Sequence, residues 1–599
     1  MCKLRRLIRG KRRGSTSVMA LMVSLMLMVL ITTTMALTLV NAQLVQDYAR
    51  NQKTVQAADS GVVHGEVSLA HALSSWALPA TTTTTQVDAY ATDAESRERQ
   101  NNRDISLLGA AAPYITTVLP RDTDTTAVQL ENDQGGLIVG YGVAVDVYPT
   151  SVDRPAQGDV SHRTTFNYGY TVTGRGDADI GAESNQATRE EQGTFGVEVS
   201  RPSFSTYGYF TESMKNQFNQ QLVFFEGEVY GGPTHVNSAP PSGRAGFYGR
   251  AVFNGPFSAV QARYEDSWLG GNANPQFNAG ATWGAAKIDL PANGWSQLRA
   301  AVGDVSHVED PTQPTNAELR QLLGLPSGTT PIDDGLYYSQ NYNDGATLNG
   351  GILIKGTAQS IVLSASGGDQ LVTVTMNPSS GHFAGAQTWV FHDNADSGTV
   401  SVTRNGSPAG SFNGSLNGLI HTEGSVTALR GNDSLSAADI QADHQITVSA
   451  TGNITITNHI TYEEDPANNP DAQNMLGIFS SSGNVYLGRY APNNLALQAT
   501  VMAAGASHGV GAEGLVVGGG YDYNYPNKGY WNLLGGLIEN KDQTTGVYYS
   551  NGKLTGYLWN FTYDERFAHG MAPPYFPYVT KFIAELRELR AEKWGRKYY

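Results

Sequence analysis

The residues best suited to chemistry are cations interleaved with aromatic rings. Arg244, Tyr248, Arg250, Arg263 and Tyr264 fall in one stretch. Arg587, Arg590, Lys593, Arg596 and Lys597 cluster with Trp594, Tyr598 and Tyr599 in another. Cations neutralise phosphate and rings stack on unpaired bases, which is what single-stranded nucleic acid needs from a protein surface. Ordinary salt-bridging on an acidic surface would use the same residue types, so both readings stay open.

Catalytic patterns are weaker. Gly505-Ala506-Ser507-His508-Gly509 has the Gly-x-Ser-x-Gly spacing, but a nucleophile elbow needs a strand before it and a helix after it. The sequence that follows, GVGAEGLVVGGG, is too rich in glycine for that helix, so a turn is expected. His235, His421, His444, His459 and His508 lie in strand or turn sequence with no spaced partner and read as structural or exposed. No Walker loop or HExxH is present. Asp393-Asn394-Ala395-Asp396 and Glu463-Glu464-Asp465 offer oxygen ligands to Ca²⁺, yet neither completes a calcium loop. Surface solvation is therefore expected at both, and no cofactor or metal site is assigned. Among so many carboxylates no glycosidase pair stands out, and the expectation is a protein that is not an enzyme.

These residues must be carried by something, and the first 76 positions say what. Lys3, Arg5, Arg6, Arg9, Lys11, Arg12 and Arg13 precede Gly14, and residues 15–46 contain no charged side chain. About 20 apolar residues at 1.5 Å each cross the hydrocarbon core, so residues 15–40 are long enough to span a bilayer. Cations ahead of one span place the N-terminus in the cytoplasm and the bulk of the chain beyond the membrane. The apolar run is too long for an ordinary secretory signal, and helical spacing continues through Leu44, Val45, Tyr48, Val55, Ala58, Val62, Val63, Val67 and Leu69. A single long helix over 15–76 is expected, with a plain membrane anchor and a prepilin as the two readings that keep it.

The leader ending Arg12-Arg13-Gly14, the long helix and the run Gln56-Ala57-Ala58-Asp59-Ser60-Gly61 resemble the N-termini of PilX-type minor pilins of type IV pili. The resemblance implies cleavage by a prepilin peptidase between Gly14 and Ser15 and methylation of the new N-terminus. It also implies residence in the inner membrane before assembly, and other major and minor pilins as partners through the helix. Major pilins carry Glu at the fifth mature position, where it pairs with a neighbour's N-terminal amine. Here that position is Met19, which suits a low-abundance subunit and fits a place at the filament tip.

The formal net charge is −15; without the seven leader cations 32 basic residues face 54 acidic ones, a net −22. That acidity weighs against a large generic nucleic-acid surface. The only cysteine, Cys2, lies in the leader, so the processed chain would have no disulfide. Sixty-seven glycines and 30 tyrosines with 16% charged residues suggest an all-β exterior with many tight turns.

Residues 77–136 read as a linker or crossover loop. Within 137–210, the segments 137–148, 164–173 and 194–200 alternate apolar and polar residues as antiparallel strands do. Over 211–570, short apolar runs recur between Gly and Asn, as a β-solenoid requires, although their uneven period leaves a β-sandwich open. GGPTHVN at 231–237, the stretch 452–495 and GMAPPYFP at 570–577 resemble the uncharacterised domain found behind PilX-type N-termini. A large β-solenoid carried by a pilin is also similar in architecture to competence pilins of the ComZ type, which are associated with DNA capture. Residues 571–599 show helical spacing and read as a C-terminal amphipathic helix.

The expected fold is α+β, a transmembrane helix packed on an antiparallel sheet, followed by a large all-β domain of solenoid type. The expected function is a non-enzymatic minor pilin displaying that domain for ligand binding, with DNA in natural transformation as one ligand. An adhesin, a purely structural assembly initiator and an anchored polysaccharide-active enzyme are the alternatives.

Overall fold

The computed structural model describes residues 4–75, 78, 82–99, 130–131, 138–155, 161–180, 183–239, 244–263, 273–310, 312–340, 347–381, 383–394, 396–432 and 437–591. The chain divides into two compact units. The second occupies 155–163 and 200–583 and so interrupts the sequence of the first.

In the first unit, α1 (Leu4–Ser75) is one unbroken helix. Every residue from Met19 to Tyr48 is exposed on it, the large apolar ones included. It is the one described helix long and apolar enough to cross a membrane. The second half of α1 packs on a sheet built from β1 (Leu130–Glu131), β2 (Ile138–Asp153), β3 (Thr164–Ile180), β4 (Glu183–Ser200) and the strand Ile583–Ala591, in that order. The pairs β2/β3 and β3/β4 are antiparallel, with Val145 opposite Val172 and Tyr168 opposite Phe195.

Small residues let the helix lie close on the strands. Ala57 and Ala58 are buried, and a Cβ on Gly61 would come within 2.8 Å of the Gly142 carbonyl oxygen. On the sheet, a Cβ at Gly174 would overlap the Ala58 carbonyl oxygen, and one at Gly176 the Thr54 carbonyl oxygen. The acidic member of the Gln56–Gly61 run, Asp59, accepts an ion pair from Arg189 Nε at 3.1 Å. The run thus has a physical job, which is backbone-to-backbone approach with one charge anchor.

Two segments differ from expectation. The stretch 77–136 contains α2 (Thr84–Arg99). Thr83 accepts from Gln86 N at 3.3 Å and donates its own N–H to Gln86 Oε1 at 2.8 Å, a capping box that five successive threonines conceal in the sequence. Val87, Ala91 and Ala94 bury one face of that helix, and Arg154 Nε ties it down through Glu95 at 2.7 Å. The helix expected over 571–599 does not form across its described part; Ile583–Ala591 is a strand beside β4. Without it β4 would be an edge with a row of unpaired N–H and C=O groups, and satisfying that ladder outweighs local helix propensity. Residues 592–599 lie outside the described residues.

The second unit is sheet-rich and mostly parallel. Tyr209–Ser213, Thr234–Val236, Phe257–Ala259 and Ala281–Trp283 stack in register, one level to the next. Residues 285–335, with short helices Trp295–Ala301 and Asn316–Leu322, then carry the chain to the opposite end of the same sheet. From there Leu348–Lys355, Leu419–Thr422, Gln445–Ala450, Met475–Ser480, Thr500–Ala503 and Leu537–Lys541 stack back in parallel, and the last pairs with Tyr209–Ser213, the first. The eleven-stranded sheet is therefore entered and left at its middle. Phe204 N donates to Pro577 O and Val579 N to Pro202 O, each at 2.9 Å, so entry and exit run side by side. That proximity is what allows so large a unit to interrupt another.

Ile352, Ile420, Val448, Ile478, Val501, Leu537 and Tyr209 form one inward column of this sheet. Further parallel ladders complete the core, among them Val426–Arg430, Ile454–Ile456, Val485–Leu487 and Val510–Ala512 on one side. On another, Leu495–Gln498, Asn527–Leu534 and Leu554–Thr562 pair in parallel, followed in space by Val229–Tyr230, Val252–Phe253 and Gln276–Phe277. The antiparallel strands from Ser360–Ser366 to Ser407–Asn413 form a meander inserted after one level.

Candidate ligand-binding surfaces

The first cation–aromatic group is only partly gathered by the fold. A parallel bridge joins Phe224 to Phe247, which sets the next residues, Phe225 and Tyr248, one above the other with ring centres 5.8 Å apart. Tyr248 is 39% exposed and Phe225 47%, so both offer ring surface to solvent. The Arg250 guanidinium donates to Gln276 Oε1, the Nε contact being 3.1 Å, and stays exposed beside them. Arg263 is exposed and its carbonyl accepts from Gln261 Nε2 at 2.8 Å. Arg244 is half-buried, its backbone held at both ends by Gln221. Tyr264 lies outside the described residues. Phe225 was not singled out from sequence, although Phe224-Phe225 recurs as Phe247-Tyr248 23 positions on.

In the second group, Arg587 and Arg590 belong to the strand Ile583–Ala591, while Lys593, Arg596 and Lys597 lie outside the described residues. Gly14 and Ser15 are part of α1, and Met19 is 70% exposed on it.

Each reading of the catalytic-looking residues has a structural outcome. Gly505–His508 is a reverse turn closed by His508 N donating to Gly505 O at 2.9 Å, with Ser507 at φ 67°, and the strand Val510–Ala512 follows it. His235 is buried between Ser258 Oγ and Asn237 Oδ1, each 2.8 Å from a ring nitrogen, and burial lowers its pKa to about 4. His421, buried against Ser449 Oγ at 2.7 Å, is lowered to about 3 by burial and then by Lys355. Both are neutral joints in the outer layer of the eleven-stranded sheet. GGPTHVN is such a joint throughout. A Cβ on Gly232 would overlap the Tyr563 ring, and Asn237 Oδ1 accepts from Ile288 N at 3.0 Å.

The acidic loops differ from one another. Asp393 is buried rather than solvated, accepting from Leu416 N at 3.0 Å, with His444 Nε2 3.8 Å from the same carboxylate. They line a cavity of about 270 Å³ with Gln370, Val372 and Ile446. Glu463, Glu464 and Asp465 accept instead from Ala442 N, Asn469 Nδ2 and Ala467 N, bonds that order the loop. Among the described residues no group of three or more His, Cys, Asp or Glu is arranged to hold a metal ion.

A different surface is more regular. On the ladder Leu495–Gln498, Asn527–Leu534 and Leu554–Thr562, alternate residues point inward, with Trp531 buried and Trp559 stacked on Phe561 at 4.9 Å. The residues between them point outward. Tyr530 stands opposite Leu558 and Asn532 opposite Asn560, and Asn560 Nδ2 donates to Asn532 Oδ1 at 2.6 Å. The motif returns on the neighbouring ladder, where Asn278 Nδ2 donates to Asn254 Oδ1 at 2.7 Å. None of these outward positions is charged.

A family model described as a domain of unknown function, DUF4900, matches residues 165–255, a span that begins in β3 and ends among the first stacked strands of the second unit. No curated protein and no solved structure matches the chain significantly.

Proposed function

We propose that this protein is a minor pilin of the PilX type, processed between Gly14 and Ser15, that displays its second unit outside the cell as a ligand-binding β-solenoid. The observation that carries the reading is α1. From Met19 to Val40 it is apolar and exposed on every side, and its second half is fitted by Ala57, Ala58 and Gly61 to an antiparallel sheet. Such a helix is stable in lipid and equally stable among like helices, so extraction into a filament exchanges one apolar environment for another. The register of stacked parallel strands supports the solenoid reading, since each level buries its apolar face only against the next. The role is display and assembly, with no reaction assigned.

Co-expression with a prepilin peptidase tests the assignment. The processed protein should begin at Ser15 by N-terminal sequencing, and Gly14→Glu should leave the leader in place. Uncut wild type would remove the pilin reading and leave a plain anchor.

DNA is the ligand favoured by the Phe225/Tyr248 pair beside Arg250. In a titration with single-stranded DNA, affinity should fall about tenfold or more between 50 and 200 mM salt, as release of a few counterions predicts. Tyr248→Ala with Arg250→Ala should weaken it by about tenfold, each stacked base being worth roughly 1–3 kcal/mol. Saturable binding that ignores both changes would move the site elsewhere, and no binding at low salt would end the DNA reading.

A further inference from the structure

The outward face formed by Tyr530, Leu558, Asn532 and Asn560 belongs to neither the membrane helix nor the cationic island. Its outward rows combine three properties. Apolar and aromatic side chains form one row, with Tyr530 49% exposed and Leu558 beside it. Carboxamides form the adjacent row, bonded sideways to one another at the spacing of neighbouring strands, about 4.8 Å. Tyr530, Leu558, Asn532 and Asn560 are all uncharged in a chain with net −15, whereas on the neighbouring ladder Arg250 donates to Gln276, which in turn donates to Asn278.

The amide row is only half used. Asn560 spends one N–H on Asn532 Oδ1, and Asn278 spends one on Asn254 Oδ1. A carboxamide offers two donors and two acceptor lone pairs, so Asn532 and Asn560 keep donors and acceptors for a ligand. Beneath them Trp531, Trp559 and Phe561 pack inward, which holds the row in place before anything binds. A preorganised surface loses little side-chain entropy on binding.

Charge selects among occupants. Nucleic acid needs cations and an acidic peptide needs them too, and neither row supplies one. A hydroxyl-rich neutral polymer needs paired donors and acceptors beside a surface on which the C–H faces of its rings can rest. We infer that this face binds a neutral, ribbon-like β-linked glycan lying along the stack of strands, its ring faces on the Tyr530/Leu558 row and its hydroxyls on the Asn532/Asn560 row. The site stands whether or not α1 enters a filament, and it shares no residue with the cationic island.

The test is co-sedimentation of the full chain, kept in a polyoxyethylene detergent that carries no sugar, with microcrystalline cellulose and with chitin. Retention on at least one is expected, unchanged between 50 and 500 mM salt and competed by soluble cellohexaose or chitohexaose. The double variant Tyr530→Ala with Asn560→Asp should lower the retained fraction at least fivefold. Both positions are exposed, so its melting temperature should match the parent's and separate lost binding from lost folding. Retention by neither polymer overturns the inference, as does equal retention by the variant. Self-association that the variant abolishes, without glycan binding, would make the face a contact between copies and overturn it as well.

Discussion

Gly174→Val is expected to detach α1 from its sheet. A Cβ there would overlap the Ala58 carbonyl oxygen and lie within 2.8 Å of Val62 N, and both obstacles are backbone. A helix held by close approach cannot yield a few tenths of an ångström without leaving the neighbouring contacts at Gly61 and Gly176 as well. Overpacking of this kind costs about 3 kcal/mol or more. In thermal unfolding of the detergent-solubilised chain, the first unit should melt earlier, and limited proteolysis should open α1 near residue 61 while the second unit stays resistant. Gly520→Ala is the control, because a Cβ at that position meets nothing within 4 Å. Equal melting of Gly174→Val and the parent would mean that the helix does not depend on this contact.

The second large effect is a fall in stability of the β unit as pH rises. Glu539 occupies an inward column of the eleven-stranded sheet, following Ala450, Ser480 and Ala503 in register, and is fully buried. Its carboxylate accepts from Val510 N at 3.2 Å and Tyr209 OH at 3.4 Å. Burial first, and then Asp542, push the Glu539 carboxyl well above its usual range. Asp542 is raised to about 8 by burial and then by Glu228. In the unfolded chain such groups ionise near pH 4. The folded state therefore holds protons that the unfolded state has released, and stability is lost as pH rises from about 4 through about 8.

His235 and His421 act in the opposite direction. They stay neutral when folded down to about 4 and about 3, but protonate near 6.5 when unfolded, so stability also falls as pH drops below 6.5. A dome is expected, with its alkaline limb set by the carboxyls. Asp542→Asn should raise the melting temperature at pH 9 by about 3 °C or more and change it much less at pH 5. An identical shift at both pH values would show that Asp542 does not carry the alkaline limb.

Local patterns in the sequence were legible where a single element expresses them. An uncharged run of more than 30 residues is long enough to read as a membrane-spanning helix, whereas the Gln56–Gly61 run carried only a resemblance and its close approach to another backbone emerged from the fold. Alternation at 137–148 and 164–173 located long strands, because period-2 patterning is a property of a strand that has one buried face. The repeat Tyr230-Gly231-Gly232-Pro233, Phe253-Asn254-Gly255-Pro256 and Phe277-Asn278 was present too, spaced by one level of the stack, but its third copy has lost the proline.

What the sequence by itself determined, then, was the apolar span, the helix that continues it, the acidic β-rich bulk and the absence of cysteine after Cys2. Only the tertiary structure decided three other matters. The chain enters the large sheet at its middle and leaves there, since Leu537 pairs with Tyr209, more than 300 residues away. The segment from Ile583 became a strand because β4 had an open edge to fill. Tyr530, Asn532, Leu558 and Asn560 became one uncharged surface because two strands lie in one register. Each depends on which backbone lies alongside which, and hydrogen-bond pairing between distant strands leaves no periodicity in either segment alone.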